Sequence, residues 1–220
     1  MATTILTSTG IVFPDGTSDT TAQAEKGVLL NISTYGPGTY TWTAPAGTTN
    51  VWVRVMGGGG GGAGYGESGG AGGFAEGFYD IAAGTAVTVT VGAGGSGVTY
   101  YAVGGNGGTT SFGSYLSATG GGGANTFIQH GGGAGGVGSG GAVNLYGGTG
   151  TGHMNGGSHA AAGYGGSSYF GGTPAVNRTV PTSNPTLGGT YGAGGPGNRG
   201  NDGTVGGTAI GGLVVVYSYS

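Results

Sequence analysis

The sequence contains no cysteine and very few charged residues. With no cysteine among its 220 residues, neither a disulfide framework nor a thiolate metal site is available. Charged residues make up 5% of the chain, and the formal net charge is −3. Lys26, Arg54, Arg178 and Arg199 are scattered rather than adjacent. Because a nucleic-acid groove needs clustered Lys and Arg, the sequence predicts no nucleic-acid partner.

Long apolar runs are also missing. No apolar segment reaches the roughly 18 residues of a membrane-spanning helix. The first residues, Met1–Thr4, lack the basic start of a secretory signal and are not followed by an apolar stretch. We therefore expect a protein made in a cytoplasm that does not leave it by the secretion pathway.

Glycine is present in large excess, at 64 residues. The glycine runs lie near 57–73, 92–108, 120–168 and 188–209. A glycine run has no side chains to bury and loses much backbone entropy on folding, so in isolation it is expected to stay disordered. Other parts of the fold must therefore hold these runs.

Alternating sequence between the runs predicts β-strands. Val51, Val53 and Val55 alternate with Trp52, Arg54 and Met56, which is the two-residue period of a strand. Strands from both ends of the sequence must meet to form a sheet, which predicts a β-sandwich. The predicted strands are Thr39–Thr43, Asn50–Met56, Gly73–Ile81, Ala86–Val91, Thr109–Phe112 and Ile210–Tyr219.

The first 34 residues differ in composition from the rest. Thr4–Thr7 and Gly10–Phe13 are typical of short strands, and Pro14-Asp15-Gly16 is a tight-turn signal. A piece of this size, below about 40 residues, lacks the area to fold alone, so it should dock or pair with copies of itself. The predicted division is an attachment and trimerisation arm at 1–34 and a glycine-rich domain at 35–220.

The largest glycine run has a period of three. Gly132, Gly135, Gly138, Gly141, Gly147, Gly150 and Gly156 share one register. Three residues per turn is the period of the polyproline II conformation, which glycine adopts as polyglycine II. Such helices must bond to neighbouring helices, so we predict a polyglycine II bundle grown out of the sandwich. A flexible linker, a collagen helix and silk-like cross-β stacking are the competing interpretations.

Two stretches resemble bacteriophage proteins. Gly38–Gly47, followed by Val51–Val55 and six glycines, resembles the start of the glycine-rich domain of phage tail fibres. Thr90–Gly95, Gly107–Gly113 and Gly212–Tyr217 follow in the same order, so the resemblance covers 35–220. Separately, Gly10–Thr17 with Thr21-Ala22 is similar to a segment common in phage tail-fibre proteins.

The resemblance implies a homotrimeric virion protein, made in the host cytoplasm, that forms a tail fibre or fibre tip and attaches to the bacterial surface. Its partners would be a tail or adaptor protein and a surface glycan or outer-membrane protein. The expected virion-attachment residues are Phe13, Pro14, Asp15 and Gly16. A purely structural spacer and an ice-binding polyglycine II protein are the alternatives. A similar architecture occurs in anaplastic-lymphoma-kinase-type receptors, but those domains bear cysteine.

Polar and aromatic side chains interrupt the glycine runs and are the receptor candidates. Aromatic faces and amide or imidazole donors suit sugars and protein loops, although the same groups also serve as caps or trimer contacts. The candidates are Phe127, His130, Asn144, Tyr146, His153 and Asn155.

No pattern in the sequence predicts an enzyme, a cofactor or a metal. Gly92-x-Gly94-x-x-Gly97 matches a dinucleotide fingerprint superficially, but neither the helix nor the acidic residue that the mechanism requires follows it. In polyproline II geometry His153 and His159 would stand about 18 Å apart, too far for one ion. A threefold axis that gathers one histidine from each chain stays open.

Overall fold

The computed structural model describes residues 5–7, 10–12, 18–19, 27–99, 102–126, 131–152, 162–172, 190–198 and 205–220. All regular elements in these ranges are β-strands, and none of these residues lies in a helix. The prediction of a mostly β fold is confirmed.

Three short strands form a small antiparallel sheet near the amino terminus. They are β1 (Ile5–Thr7), β2 (Gly10–Val12) and β3 (Ser18–Asp19), in the order β1-β2-β3. The first two occupy the predicted strand positions. The turn that we predicted at Pro14-Asp15-Gly16 lies outside the described residues.

Two five-stranded antiparallel sheets form the main body. One has the order β11-β10-β9-β8-β5 and the other β12-β7-β6-β13-β4. The strands are β4 (Leu29–Tyr35), β5 (Gly38–Thr43), β6 (Asn50–Met56), β7 (Phe74–Asp80), β8 (Ala86–Val91), β9 (Thr110–Phe112), β10 (Leu116–Ala118), β11 (Gly138–Ser139), β12 (Val143–Leu145) and β13 (Leu213–Tyr219).

The two sheets pack face to face around one apolar core. Val51, Val53 and Val55 on β6 point inward and are fully buried, as their alternation predicts. From the opposite sheet Trp42 and Phe112 pack against each other with ring centroids 5.4 Å apart. Burying a large apolar side chain contributes about 1.5 to 3 kcal/mol to the free energy of folding. The burial of these side chains therefore holds the two sheets together.

Strand β4 lies across the boundary that the composition suggests at residue 34. It pairs with β13, with Ile32 opposite Tyr217 and Tyr35 opposite Val214. Its side chains are mostly exposed, so it lacks the inward apolar alternation by which strands are recognised in a sequence. The two-residue and three-residue strands β10, β11 and β12 were not predicted for a related reason, because so short a stretch shows no period.

The glycine runs form a bundle of extended segments, here called the glycine bundle. Each segment bonds to its neighbours with a period of three: the N–H groups of Gly57 and Gly60 donate to the carbonyls of Gly73 and Gly70 at 2.9 and 2.8 Å. This is the polyglycine II pattern. By residue number the segments are 57–63, 67–73, 92–98, 104–108, 119–124, 131–137, 147–152, 163–167, 192–198 and 206–212.

Segments 57–63 and 67–73 are the centre of the bundle, and every residue in them is buried. Segment 57–63 donates to 67–73, 105–108 and 207–210, and it accepts from 95–98, 121–124 and 195–198. Segment 67–73 is surrounded in the same way by 57–63, 119–122, 133–136, 148–151, 163–166 and 192–195. The outer segments also bond to one another and close a ring. The core of the bundle is therefore backbone.

The run with one three-residue register is two segments rather than one helix. Segments 131–137 and 147–152 run antiparallel, and Gly147 donates to Gly136 at 2.9 Å. Between them β11 pairs with β10 and β12 pairs with β7, which extends both sheets. Gly138 consequently lies in a strand, and its backbone packs against Phe74.

Close approach explains why these positions are glycine. A Cβ built on Gly60 would overlap the carbonyl oxygen of Gly122, and one on Gly69 would overlap that of Gly60. The fingerprint-like residues Gly92 and Gly97 are constrained in the same way, by the carbonyls of Gly108 and Gly206. Their spacing therefore reflects bundle packing.

Candidate functional site

The interruptions of the glycine runs fall at two ends of the bundle. One end joins the sandwich. The other, called here the far end, lies about 19 Å away, since a polyglycine II segment of six steps rises about 3.1 Å per residue. Isolated β-bridges join neighbouring segments of the chain at the far end, between Ala63 and Val98, Thr99 and Val205, and Val103 and Asn125. Chain segments that are distant in sequence thus meet on one surface.

At the far end, side-chain hydroxyls and amides form hydrogen bonds that link the backbones of neighbouring segments. The Thr151 N–H donates to Ser68 Oγ at 2.8 Å, and the Tyr164 N–H donates to Thr151 Oγ1 at 2.7 Å. Elsewhere Thr126 Oγ1 donates to Ala102 O at 3.1 Å, and Asn198 Nδ2 donates to Val205 O at 3.0 Å. These bonds link the segments where the backbone hydrogen bonds of the bundle end. They therefore hold the residues of the end surface in place.

Two apolar or aromatic side chains project from this fixed surface. Tyr164 is 55% exposed and Val103 is 51% exposed. Neither was among the residues predicted from the sequence. Tyr164 interrupts glycine in the same way as the candidates did, so the signal that would have found it was present.

Four of the six receptor candidates lie outside the described residues: Phe127, His130, His153 and Asn155. The described residues that flank them are at the far end. Gly131 accepts a bond from Asn125 there, and Thr151 is joined to Tyr164. The virion-attachment candidates Phe13, Pro14, Asp15 and Gly16 also lie outside the described residues.

Asn144 and Tyr146 lie at the other end, beside the sandwich. Asn144 is in β12, and its amide closes a turn: Gly141 N–H donates to Asn144 Oδ1 at 3.0 Å, and Asn144 Nδ2 donates to Gly141 O at 2.7 Å. Tyr146 bridges to Val137 and is 79% exposed. Segment 147–152 separates it from the far end by about 15 Å. The structure therefore does not bring these two together with the far-end segments.

A second exposed surface crosses the outer face of one sheet. Side chains from four adjacent strands form a row across it, called here the outer row: Phe78, Trp52, Tyr217 and Ile32. The rings of Trp52 and Phe78 stack with centroids 5.7 Å apart, and those of Trp52 and Tyr217 with centroids 5.0 Å apart. Phe78 is 67% exposed and Ile32 52% exposed. The alternation of Trp52 with the buried valines already placed it on the face opposite to the core.

Arg54 beside the outer row is engaged in structural contacts. Its Nε donates to Glu76 Oε2 at 3.1 Å, and Nη2 donates to Tyr169 Oη at 3.1 Å. The guanidinium carbon stands between 5.2 and 5.6 Å from the ring centroids of Trp52, Phe74, Tyr169 and Phe170. These contacts fasten the turn at 168–171 to the sheet and neutralise the cation.

Tyr79 also has a structural role. Its hydroxyl donates to Gly140 O at 3.0 Å. Burial raises the pKa of the Tyr79 phenol, so the group stays protonated and remains a donor. This bond ties β7 to the turn that follows β11.

The described residues contain no group of three histidine or acidic side chains that is arranged to hold a metal ion. The part of the chain that the structure describes also contains no helix long and apolar enough to cross a membrane.

Comparison with known proteins gives one positive result. No curated protein matches the chain. The family described as the glycine-rich domain matches residues 33–215, a range that begins within β4 and ends within β13. The matched range therefore takes in both sheets and the whole glycine bundle, and the chain belongs to this glycine-rich domain family.

Proposed function

We propose that this chain is a virion protein of a bacteriophage tail, a trimeric fibre or fibre tip that attaches to the bacterial surface through the far end of the glycine bundle. The phage assignment is supported by the two stretches of resemblance in the sequence. The tail or adaptor protein would hold the amino-terminal arm, and a surface glycan or outer-membrane protein would be the receptor.

The observation that carries the proposal is the meeting of non-glycine segments on a rigid end surface. Binding residues are commonly found on loops that a rigid scaffold positions. The bundle supplies the scaffold, since its centre is buried backbone bonded on all sides. Tyr164 adds an exposed aromatic face, and the described residues that flank 127–130 and 153–161 lie at the same end of the bundle.

Adsorption to intact cells tests the proposal, and two tyrosines provide a matched pair. Both Tyr164 and Tyr146 are exposed, but they lie at opposite ends of the bundle. Tyr164→Ala is expected to weaken saturable binding of the labelled protein to host cells by about tenfold, the effect of losing roughly 1.4 kcal/mol. Tyr146→Ala should leave binding unchanged.

Binding that Tyr146→Ala weakens and Tyr164→Ala does not would place recognition at the sandwich end. A purified protein with no saturable binding to host cells would instead be a spacer, with recognition carried by another virion protein. Competition with whole phage tests whether this binding is the one used in infection. If it is, the purified protein reduces phage adsorption at the concentration that saturates the cells.

A further inference from the structure

We propose that the outer row, together with the open edge of β4, is the docking surface for residues 1–26 of a second copy of this chain. These residues are the part of the predicted arm that precedes Gly27, and they are called the arm below. The inference rests on the proposed trimer but not on host binding. Its occupant is a segment of this same sequence, so no outside partner is required.

The outer row and β4 expose apolar side chains of the kind that are buried in protein interfaces. The outer row exposes aromatic and aliphatic groups across four strands and ends at Ile32 on β4. Leu29 and Leu30 on the same strand are also exposed. Contiguous apolar surface of this kind in a soluble protein marks an interaction site.

Strand β4 is also the last strand of its sheet, so the described residues leave one side of its backbone unpaired. Natural edge strands are usually protected by lysine, proline or a bulge that turns the edge away. Along β4 the sequence is Leu-Leu-Asn-Ile-Ser-Thr-Tyr, with neither charge nor proline. The pairing with β13 shifts register at Leu30, and beyond that irregularity Asn31–Tyr35 form a regular edge. The edge is therefore suited to receive another strand, which would gain backbone hydrogen bonds as well as apolar contacts.

The arm fits this surface in chemistry and in position. Its strands β1 and β2 contain Ile5, Leu6, Ile11 and Val12, yet three strands of two or three residues are too small to be stable alone. The arm joins the body at the same edge, where Gly27 N–H donates to Ser220 O at 2.7 Å. The seven residues 20–26 between β3 and Gly27 could span at most about 23 Å at 3.3 Å per residue, more than the roughly 14 Å across the outer row.

The pairing of strands within one chain leaves the outer row open to another copy. The described strands β1, β2 and β3 pair with one another, and among the described residues none of them pairs with a strand of the outer row. An arm and a sheet face are different surfaces, and a contact between different surfaces of identical chains builds a ring when the rotation between chains closes and a filament when it does not. A ring of three chains would bury each arm and each outer row once, as the proposed trimer requires.

Assembly of the full chain is the first test. In sedimentation velocity at micromolar concentration we expect a trimer for the full chain and a monomer after deletion of 1–26. Ile32→Lys with Phe78→Lys should raise the concentration needed for assembly at least about tenfold, because both side chains are exposed in the monomer and would be buried with their charges in the trimer. Thr149→Lys with Ala134→Lys, at exposed sites on the bundle, should assemble normally.

A cross-link identifies the occupant, since the chain has no cysteine of its own. Ile11→Cys protein mixed with tagged Ile32→Cys protein should give a disulfide between the two chains much faster than Ile11→Cys with Thr149→Cys. Equal rates in the two mixtures would overturn the proposal, as would a trimer that survives deletion of the arm or a full chain that stays monomeric. A chain carrying both Ile11→Cys and Ile32→Cys that closes an internal disulfide as a monomer would assign the surface to its own arm and also overturn the exchange.

Discussion

At the scale of single residues, the lack of a side chain on glycine lets neighbouring backbone segments approach closely. At Gly60 and Gly69 the neighbouring carbonyls stand where a Cβ would be, so these positions exclude every other residue. The usual entropic cost of ordering glycine is offset at the centre of the bundle, because the N–H groups of 57–63 and 68–73 all donate to carbonyls of neighbouring segments.

Two glycine-to-alanine substitutions distinguish a packed bundle from glycine runs that are flexible linkers. Gly60→Ala forces a methyl group into backbone at the centre of the bundle and is expected to destabilise the fold by about 3 kcal/mol or more. Gly36→Ala introduces the same methyl group where nothing lies within 4 Å, and its effect should stay within about 0.5 kcal/mol. Urea unfolding followed by tryptophan fluorescence measures both. Equal stability of the two variants would contradict a packed bundle.

At the scale of elements, a single cation fastens an irregular turn to a sheet. Arg54 on β6 contacts Tyr169 and Phe170 from the turn at 168–171 and bonds to Glu76 on β7. The stacked rings of Phe74 and Tyr169, with centroids 3.9 Å apart, complete the cluster. The turn is thus held by aromatic and ionic contacts in addition to its backbone.

The contributions of the rings and of the carboxylate are separable. Arg54→Met removes the cation from four rings and leaves the Glu76 carboxylate without its ion pair, so we expect a loss of about 2 kcal/mol. Glu76→Gln removes only a partly exposed ion pair and should cost less than about 1 kcal/mol. Thermal or urea unfolding of both variants gives the comparison. A larger loss for Glu76→Gln would show that the ion pair, and not the aromatic cluster, fastens the turn.

Within the sandwich, the sequence predicted the strands whose side chains alternate, and it did not predict β4, β10, β11 or β12. β6 and β8 have the predicted bounds because their valines alternate with polar or aromatic residues and face one core. β4 was assigned to the arm because its side chains are mostly exposed and show no such alternation. Asn144 and Tyr146 stand in one candidate set with Phe127, His130, His153 and Asn155, because the sequence does not show at which end of an antiparallel bundle a segment turns.

At the scale of the whole molecule, two kinds of core lie end to end. The sandwich is held by buried apolar side chains, whereas the glycine bundle is held by hydrogen bonds between backbones that pack without side chains. Each depends on the other, because strands β6, β7, β8 and β13 lead into or out of bundle segments and set their spacing. The result is an extension about 19 Å long, at whose end non-glycine residues of several segments meet.

Amide hydrogen exchange, measured residue by residue by NMR, tests this account most directly. If the glycine runs form the bonded bundle, the amides of Gly60 and Gly69 exchange as slowly as that of Val53 in the sandwich core, slower than a free chain by a factor on the order of 1,000 or more. Glycine amides that exchange at the rate of an unstructured chain, while Val53 stays protected, would contradict the account and leave the runs as flexible linkers.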